Sequence, residues 1–180
     1  SGTTTVVINP LPTISIVTSN SAICSAQTIT LTVSGAATYT WNTGSNSAMI
    51  ADSPTITTTY SVFALDANGC SGSAISSVTV SPYPVLTVST SNSLICAGQS
   101  VTLSVLGAST YSWSSGGITN LEVVTPTITT NYTVTGTNAS GCATTDTITQ
   151  FVSPCTGIAL INNNNDHFSV YPNPSNGLFM

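Results

Sequence analysis

Lysine and arginine are absent from this 180-residue chain, which carries five acidic residues, one histidine and a formal charge of −5. That absence excludes several classes at once. Binding to a nucleic acid duplex relies on cations that displace counterions from phosphates, and an anionic membrane surface makes the same demand. Without lysine there is no Lys–Asn isopeptide crosslink and no Schiff-base chemistry, and trypsin-like proteases have no site to cut. No apolar run approaches the roughly 20 residues that span a bilayer, and nowhere does apolar spacing settle into a helical period. There is no C-x-x-C pair, and the lone His167 stands outside the repeats described below, which argues against zinc. No charged leader with an apolar core precedes Ser1, so a secretory signal is expected to lie upstream or to have been removed, and the chain reads as a piece of a longer secreted protein.

What the chain does contain is a period. Cys24, Trp41, Tyr60 and Cys70 recur as Cys96, Trp113, Tyr132 and Cys142, all at one identical offset and without an insertion. A fixed period of this kind marks a tandem array. Val6-Val7-Ile8-Asn9-Pro10 stands one such period before Val78-Thr79-Val80-Ser81-Pro82, so residues 1–10 read as the last strand of a preceding repeat. Repeat one then covers residues 11–82 and repeat two residues 83–154. They join through Asn9-Pro10-Leu11-Pro12 and Ser81-Pro82-Tyr83-Pro84. Proline fixes φ and restricts its predecessor to extended conformations, so these joints are expected to be short and stiff and the array rod-like.

With so little charge, solubility must come from Ser, Thr and Asn. These alternate with Val, Ile, Leu, Tyr and Trp at period 2, which predicts half-buried strands. In repeat one the strands fall near residues 13–17, 28–33, 38–42, 48–51, 60–65 and 74–80, with Tyr39 and Trp41 inward and a tight turn at Asn68-Gly69. Short strands at this spacing, with the order Cys…Trp…Cys, predict an all-β chain of tandem immunoglobulin-like β-sandwiches of about 72 residues each, joined by Pro-rich linkers. Tyr60 and Tyr132 stand where a tyrosine corner could sit. Trp41 and Trp113 fit the core better than exposed sugar-stacking platforms.

The cysteines bear on compartment and stability. Four of the five occupy equivalent places, which predicts the pairs Cys24–Cys70 and Cys96–Cys142. The competing reading is four free buried thiols. A unit of about 70 residues builds a marginal core, and small secreted domains commonly add a disulfide. Closing a loop of roughly 46 residues is worth about 4 kcal/mol in the chain-entropy model. Because Cys24 precedes its strand and Cys70 follows the Asn-Gly turn, the expected bridge pins loops at one end of the sandwich. Cys155 has no counterpart. It is expected to bond outside this stretch, to link two chains or to stay free.

After Pro154 the register breaks. Residues 155–167 read as a polar linker around Asn162-Asn163-Asn164-Asn165-Asp166. Residues 168–180 hold an aromatic-apolar strand stopped by two prolines. Here Val170-Tyr171-Pro172-Asn173-Pro174 with Asn176-Gly177 resembles the opening of the carboxy-terminal sorting domain of type IX secretion cargo in Bacteroidota. The repeats, through their Cys-x-x-Gln, Tyr-x-Trp and Asn-Gly-Cys positions, resemble the Ser/Thr-rich immunoglobulin-like repeats of large secreted proteins of that phylum, with Ser140-Gly141 in place of Asn-Gly in repeat two. The resemblance implies a small β sorting domain, only partly contained here, read by the type IX outer-membrane translocation machinery, and a secreted or cell-surface location. Asp146-Thr147-Ile148 likewise resembles an O-glycosylation acceptor, with Thr147 as the modified residue.

No catalytic constellation emerges. No acid recurs between the repeats: Asp52 aligns with Val124, Asp66 with Asn138, Glu122 with Ile50 and Asp146 with Ala74. A glycosidase pair needs two carboxyls within roughly 5–10 Å, and nothing in the spacing requires that. A Ser-His-Asp site would have to use His167, in the polar linker beside Asp166. Asp52 and Asp66 read as turn residues. Cofactor and metal are not expected. The leading expectation is a non-catalytic structural or adhesive stalk segment. The alternatives are a subunit of a self-assembling extracellular filament or hook, and a carbohydrate-binding accessory module contacting surface glycans.

Overall fold

The alternation of Thr and Ser with branched and aromatic residues produces strands throughout. The computed structural model describes residues 2–5 and 8–155, and the backbone of 158–159 and 169–170. The chain is all-β, built as tandem immunoglobulin-like sandwiches. By contact it divides into two compact units, one of Ser1–Pro84 with Thr137–Ala143 and the other of Val85–Gly136 with Thr144–Met180.

In the first repeat the strands are β1 (Ser15–Thr18), β2 (Ala22–Cys24), β3 (Ile29–Ser34), β4 (Thr38–Trp41), β5 (Met49–Asp52), β6 (Thr58–Leu65) and β7 (Ser71–Ser81). One sheet has the order β1-β3-β5 and the other β2-β7-β6-β4. Burial follows the pleat. On β3, Ile29, Leu31 and Val33 face in while Thr32 and Ser34 face out, and on β6 Tyr60, Val62 and Ala64 do the same. Ile29, Leu31, Val33, Tyr60 and Val62, with Ile23, Trp41, Ile50 and Val78, form one apolar core, and each fully buried aliphatic or aromatic side chain contributes roughly 1.5–3 kcal/mol.

The second repeat has β8 (Thr87–Thr90), β9 (Leu94–Cys96), β10 (Val101–Leu106), β11 (Thr110–Trp113), β12 (Leu121–Val124), β13 (Thr130–Thr137) and β14 (Ala143–Ser153). Its sheets, β12-β10-β8 and β11-β13-β14-β9, repeat the topology of the first. Its core gathers Ile95, Val101, Leu103, Val105, Trp113, Val124, Tyr132 and Val134.

Two features depart from the expected pattern. The short strands β2 and β9 are additional elements, and each runs parallel to the end of a long strand: Cys24 is opposite Ser81 and Cys96 opposite Ser153. Second, the inward position taken by Val78 in β7 is held in β14 by Gln150, which is wholly buried. Its Oε1 accepts the Thr90 hydroxyl at 2.7 Å and its Nε2 donates to the Phe151 carbonyl at 3.2 Å, so the polar group is satisfied inside the core. In the stretch read as a polar linker, β15 (Ile158–Ala159) pairs antiparallel with β16 (Ser169–Val170), which belongs to the stretch read as the start of a sorting domain.

Candidate functional site

Chemistry in this chain concentrates at the cysteines, so the site is built from the elements that carry them. The turn between β6 and β7 is organised by Asp66, whose Oδ1 accepts the Asn68 and Cys70 amides, both at 2.8 Å. Backbone bonds from Asp66 N–H to the Cys70 carbonyl and from Gly69 N–H to the Asp66 carbonyl close it. The turn between β13 and β14 is the same object with Asn138 in place of Asp66: Asn138 Oδ1 accepts from Ser140 and Cys142, both at 3.0 Å, and the two backbone bonds recur. Gly69 and Gly141 adopt φ of 81° and 83°, a left-handed conformation that glycine takes without steric cost. The reading of Asp66 as a turn residue thus matches the geometry. Asp52 instead ends β5 and receives the Tyr60 hydroxyl.

The disulfides differ from the expected pairs. Cys24 bonds Cys142, with Cα atoms 5.6 Å apart, and Cys96 bonds Cys155 at 5.3 Å. Cys70 has no partner among the described residues. The predicted Cys24–Cys70 and Cys96–Cys142 bridges are therefore absent, and the expectation that Cys155 bonds elsewhere or stays free is corrected as well. The reason lies in β7 and β14. Cys24 sits opposite Ser81, at the end of β7, whereas Cys70 immediately precedes its start at Ser71. Eleven strand residues at roughly 3.3 Å each separate the two by about 36 Å, far beyond the ~7 Å that a disulfide can span. The same geometry holds Cys96, opposite Ser153, away from Cys142 at the other end of β14. Cys155 follows two residues after Ser153 and is the cysteine within reach of Cys96.

The Cys24–Cys142 bond lies wholly within the first compact unit, which takes in the Thr137–Ala143 turn. Cys142 is 1% exposed, its Sγ lies 3.8 Å from the Ser81 carbonyl oxygen, and Asn138 Nδ2 donates to the Pro82 carbonyl at 2.9 Å. The bond closes a loop of 118 residues and the Cys96–Cys155 bond one of 59, worth about 5 and about 4 kcal/mol in the chain-entropy model.

The two tryptophans and four of the tyrosines serve the fold. Trp41 and Trp113 are 2% and 3% exposed, and their Nε1 atoms donate to the carbonyls of Ser47 and Thr119 at 2.9 and 3.0 Å. Tyr60 is not a tyrosine corner. Its hydroxyl donates to Asp52 Oδ2 at 2.6 Å, and burial, then the carboxylate, holds it protonated well above the usual tyrosine range. Tyr132 is buried in the second core, where Val124 stands in place of Asp52. The hydroxyl that bonds back to nearby backbone belongs to Tyr39, which accepts from Ala36 N–H and donates to the Ala36 carbonyl. Tyr111 does the same with Ala108. Beside each of these tyrosines lies a shallow open depression, about 520 Å³ along Thr38, Thr40 and Asn46 and about 420 Å³ along Thr110, Ile118 and Asn120.

Among the described residues no three His, Cys, Asp or Glu side chains cluster to hold a metal ion, and no helix is long and apolar enough to cross a membrane. Thr147 is exposed on β14 beside Asp146. Of the sorting motif, Val170 lies in β16, while Tyr171, Pro172, Asn173, Pro174, Asn176 and Gly177 lie outside the described residues, as do His167 and Asp166. What sequence reasoning missed is the parallel β2 and β9, and with them the pairing of the cysteines. The signal available was that Cys24 and Cys96 end an apolar pair, Ala22-Ile23 and Leu94-Ile95.

No family model matches the chain, and no curated protein does. Solved structures do match. Murine CEACAM1b is 11% identical with a TM-score of 0.41, over 78% of this chain and 100% of that one. Three N-terminal domains of the highly immunogenic outer capsid protein of bacteriophage RB49 are 19% identical with a TM-score of 0.39, over 78% and 59%. A 1.5-MDa bacterial ice-binding adhesin is 18% identical with a TM-score of 0.39, over 81% and 66%. Likeness at this level carries no ligand or partner over to the present chain.

Proposed function

We propose that the chain is a non-catalytic stalk segment of a large secreted or surface-attached bacterial protein, whose work is to hold another part of that protein at a distance. The observation that carries this reading is the repetition itself. A complete sandwich recurs with the period of the sequence, and a disulfide runs from the first copy's β2 to the second copy's turn. A bond of that kind uses one cysteine from each of two successive copies, which suits a chain under tension better than an isolated binding domain.

Export by the type IX machinery is the second part of the proposal and rests on the Val170–Pro174 motif with Asn176-Gly177. Its test is replacement of Tyr171, Pro172, Asn173 and Pro174 by alanine in the full-length protein, in a bacterium with a working type IX system. Accumulation in the periplasm supports the reading, and unchanged surface labelling overturns it. Thr147, exposed and following Asp146, is the proposed O-glycosylation site. Glycoprotein staining lost in Thr147→Ala would support it.

A filament or hook subunit is the alternative favoured by the exposed apolar side chains on strands, among them Val17, Phe63 and Ile75. Sedimentation of the intact chain distinguishes the two, since a stalk segment stays monomeric as concentration rises. The glycan-binding alternative loses its most natural platforms, because both tryptophans are core residues.

A further inference from the structure

We propose that Cys70 is the receiving end of a further disulfide, supplied by the cysteine that ends the β2-type strand of another repeat of this same kind. The inference rests on the reading of the chain as part of a longer array. Cys70 and Cys142 occupy one turn geometry, with the same four hydrogen bonds around an Asx side chain. In the second turn the cysteine is bonded to the end of the preceding copy's β2. The first turn presents its cysteine at the same place, half-buried and with no partner among the described residues.

A second observation stands on the other side of the turn. The Cys24–Cys142 bond forms where Cys24 lies opposite Ser81 at the end of β7. One period earlier, Ser81 corresponds to Asn9 and Val80 to Ile8. Val80 packs against the first core, beside Ile23 of β2, but Ile8 is 88% exposed. The chain leading away from it passes close to the turn, because the Pro12 carbonyl packs against Gly72, two residues after Cys70. Ile8 and Asn9 thus repeat the end of a β7 strand with no β2-type partner among the described residues, a few residues before the chain passes the turn whose cysteine likewise has none there. The occupant that fills both gaps is a strand of the form Ala-Ile-Cys or Leu-Ile-Cys. One contact does not carry over: Asn138 Nδ2 donates to the Pro82 carbonyl, and the Asp66 side chain has no amide N–H to offer Pro10.

The step is an ordinary oxidation. Two thiols lose two protons and two electrons to form one S–S bond, and a small-molecule disulfide of the oxidising compartment takes the electrons and is reduced to two thiols.

The test duplicates one period in the full chain. A copy of residues 11–82, with its own Cys70→Ser, is inserted between Pro10 and Leu11 and the protein is oxidised with glutathione disulfide. Thiols are counted with Ellman's reagent in denaturant. The parent chain should show one free thiol. The duplicated chain should show none, and chymotryptic peptides should link the inserted copy's Cys24 to the original Cys70. Adding Cys70→Ser at the original site should leave one free thiol. Two free thiols in a duplicated chain whose inserted copy resists native chymotrypsin would overturn the proposal and leave the stalk reading to its own mechanical test. As an independent measure, Cys70 of the parent chain should exchange with an activated Ser21-Ala22-Ile23-Cys24 peptide several-fold faster than with its scrambled counterpart. Equal rates would also overturn it.

Discussion

Pulling the chain by its two ends measures the disulfide network directly. With both bonds closed, the shortest covalent path under tension runs from the amino terminus to Cys24, crosses to Cys142 and continues to the carboxy terminus. The 118 residues between those cysteines are held out of the stretched length, whether or not the sandwiches have unfolded. The Cys96–Cys155 bond hides nothing further, because the path from Cys142 reaches Cys155 along the backbone. At about 3.5 Å per extended residue, reduction should lengthen the fully stretched molecule by about 410 Å. In a Cys24→Ser variant the remaining bond hides only its own 59 residues, so the gain on reduction falls to about 200 Å. Single-molecule force spectroscopy with terminal handles, in the presence and absence of reductant, reads both lengths. Bonds closed within each repeat would hide two loops of roughly 46 residues and give about 320 Å instead. A gain near that value, or one unchanged by Cys24→Ser, would refute the connectivity and the argument from strand length beneath it.

Three further outcomes follow from the packing and the sequence. Tyr60→Phe removes a buried hydroxyl bonded to a carboxylate and should cost about 1.5–3 kcal/mol in denaturant unfolding at neutral pH. The folded state holds Tyr60 protonated above the ordinary value near 10, so its contribution is complete below about pH 10 and declines at up to about 1.4 kcal/mol per pH unit above it. In a Cys70→Ser background, which blocks thiolate exchange, the alkaline decline should be shallower for Tyr60→Phe than for its parent, and parallel curves would contradict the assignment. Because Trp41 and Trp113 are core residues, acrylamide should quench native tryptophan fluorescence weakly and surface glycans should leave it unchanged; quenching by a glycan would restore the carbohydrate-binding alternative. Trypsin should leave even the reduced, unfolded chain intact, since it has no Lys or Arg, while chymotrypsin digests it.

Most of each sandwich was legible because its determinants are local. Period-2 alternation locates β3, β6 and β7 within a few residues and puts Trp41 and Tyr60 inward, since a strand with one wet face has to alternate. Gln150 was not legible. Alternation marks its position as inward but cannot say that Thr90, 60 residues away, supplies the bond that makes a buried amide tolerable. Nor were β2 and β9. Each is too short for a pattern and exists through pairing with the strand at the far end of its own repeat. The cysteine pairing failed with them, for an instructive reason. A period shows that cysteines occupy equivalent places, but a bond within each copy and a bond from each copy to the next satisfy the same period equally well. Only the place at which β2 pairs along β7 decides between them. β2 lies against Thr79–Ser81, the end of β7 remote from Cys70, and reversing a three-residue strand there would shift Cys24 by only two positions. Where a short strand pairs is set by the connections across the whole sandwich, so the choice between an array of separately closed modules and one of modules bonded in series lies in topology.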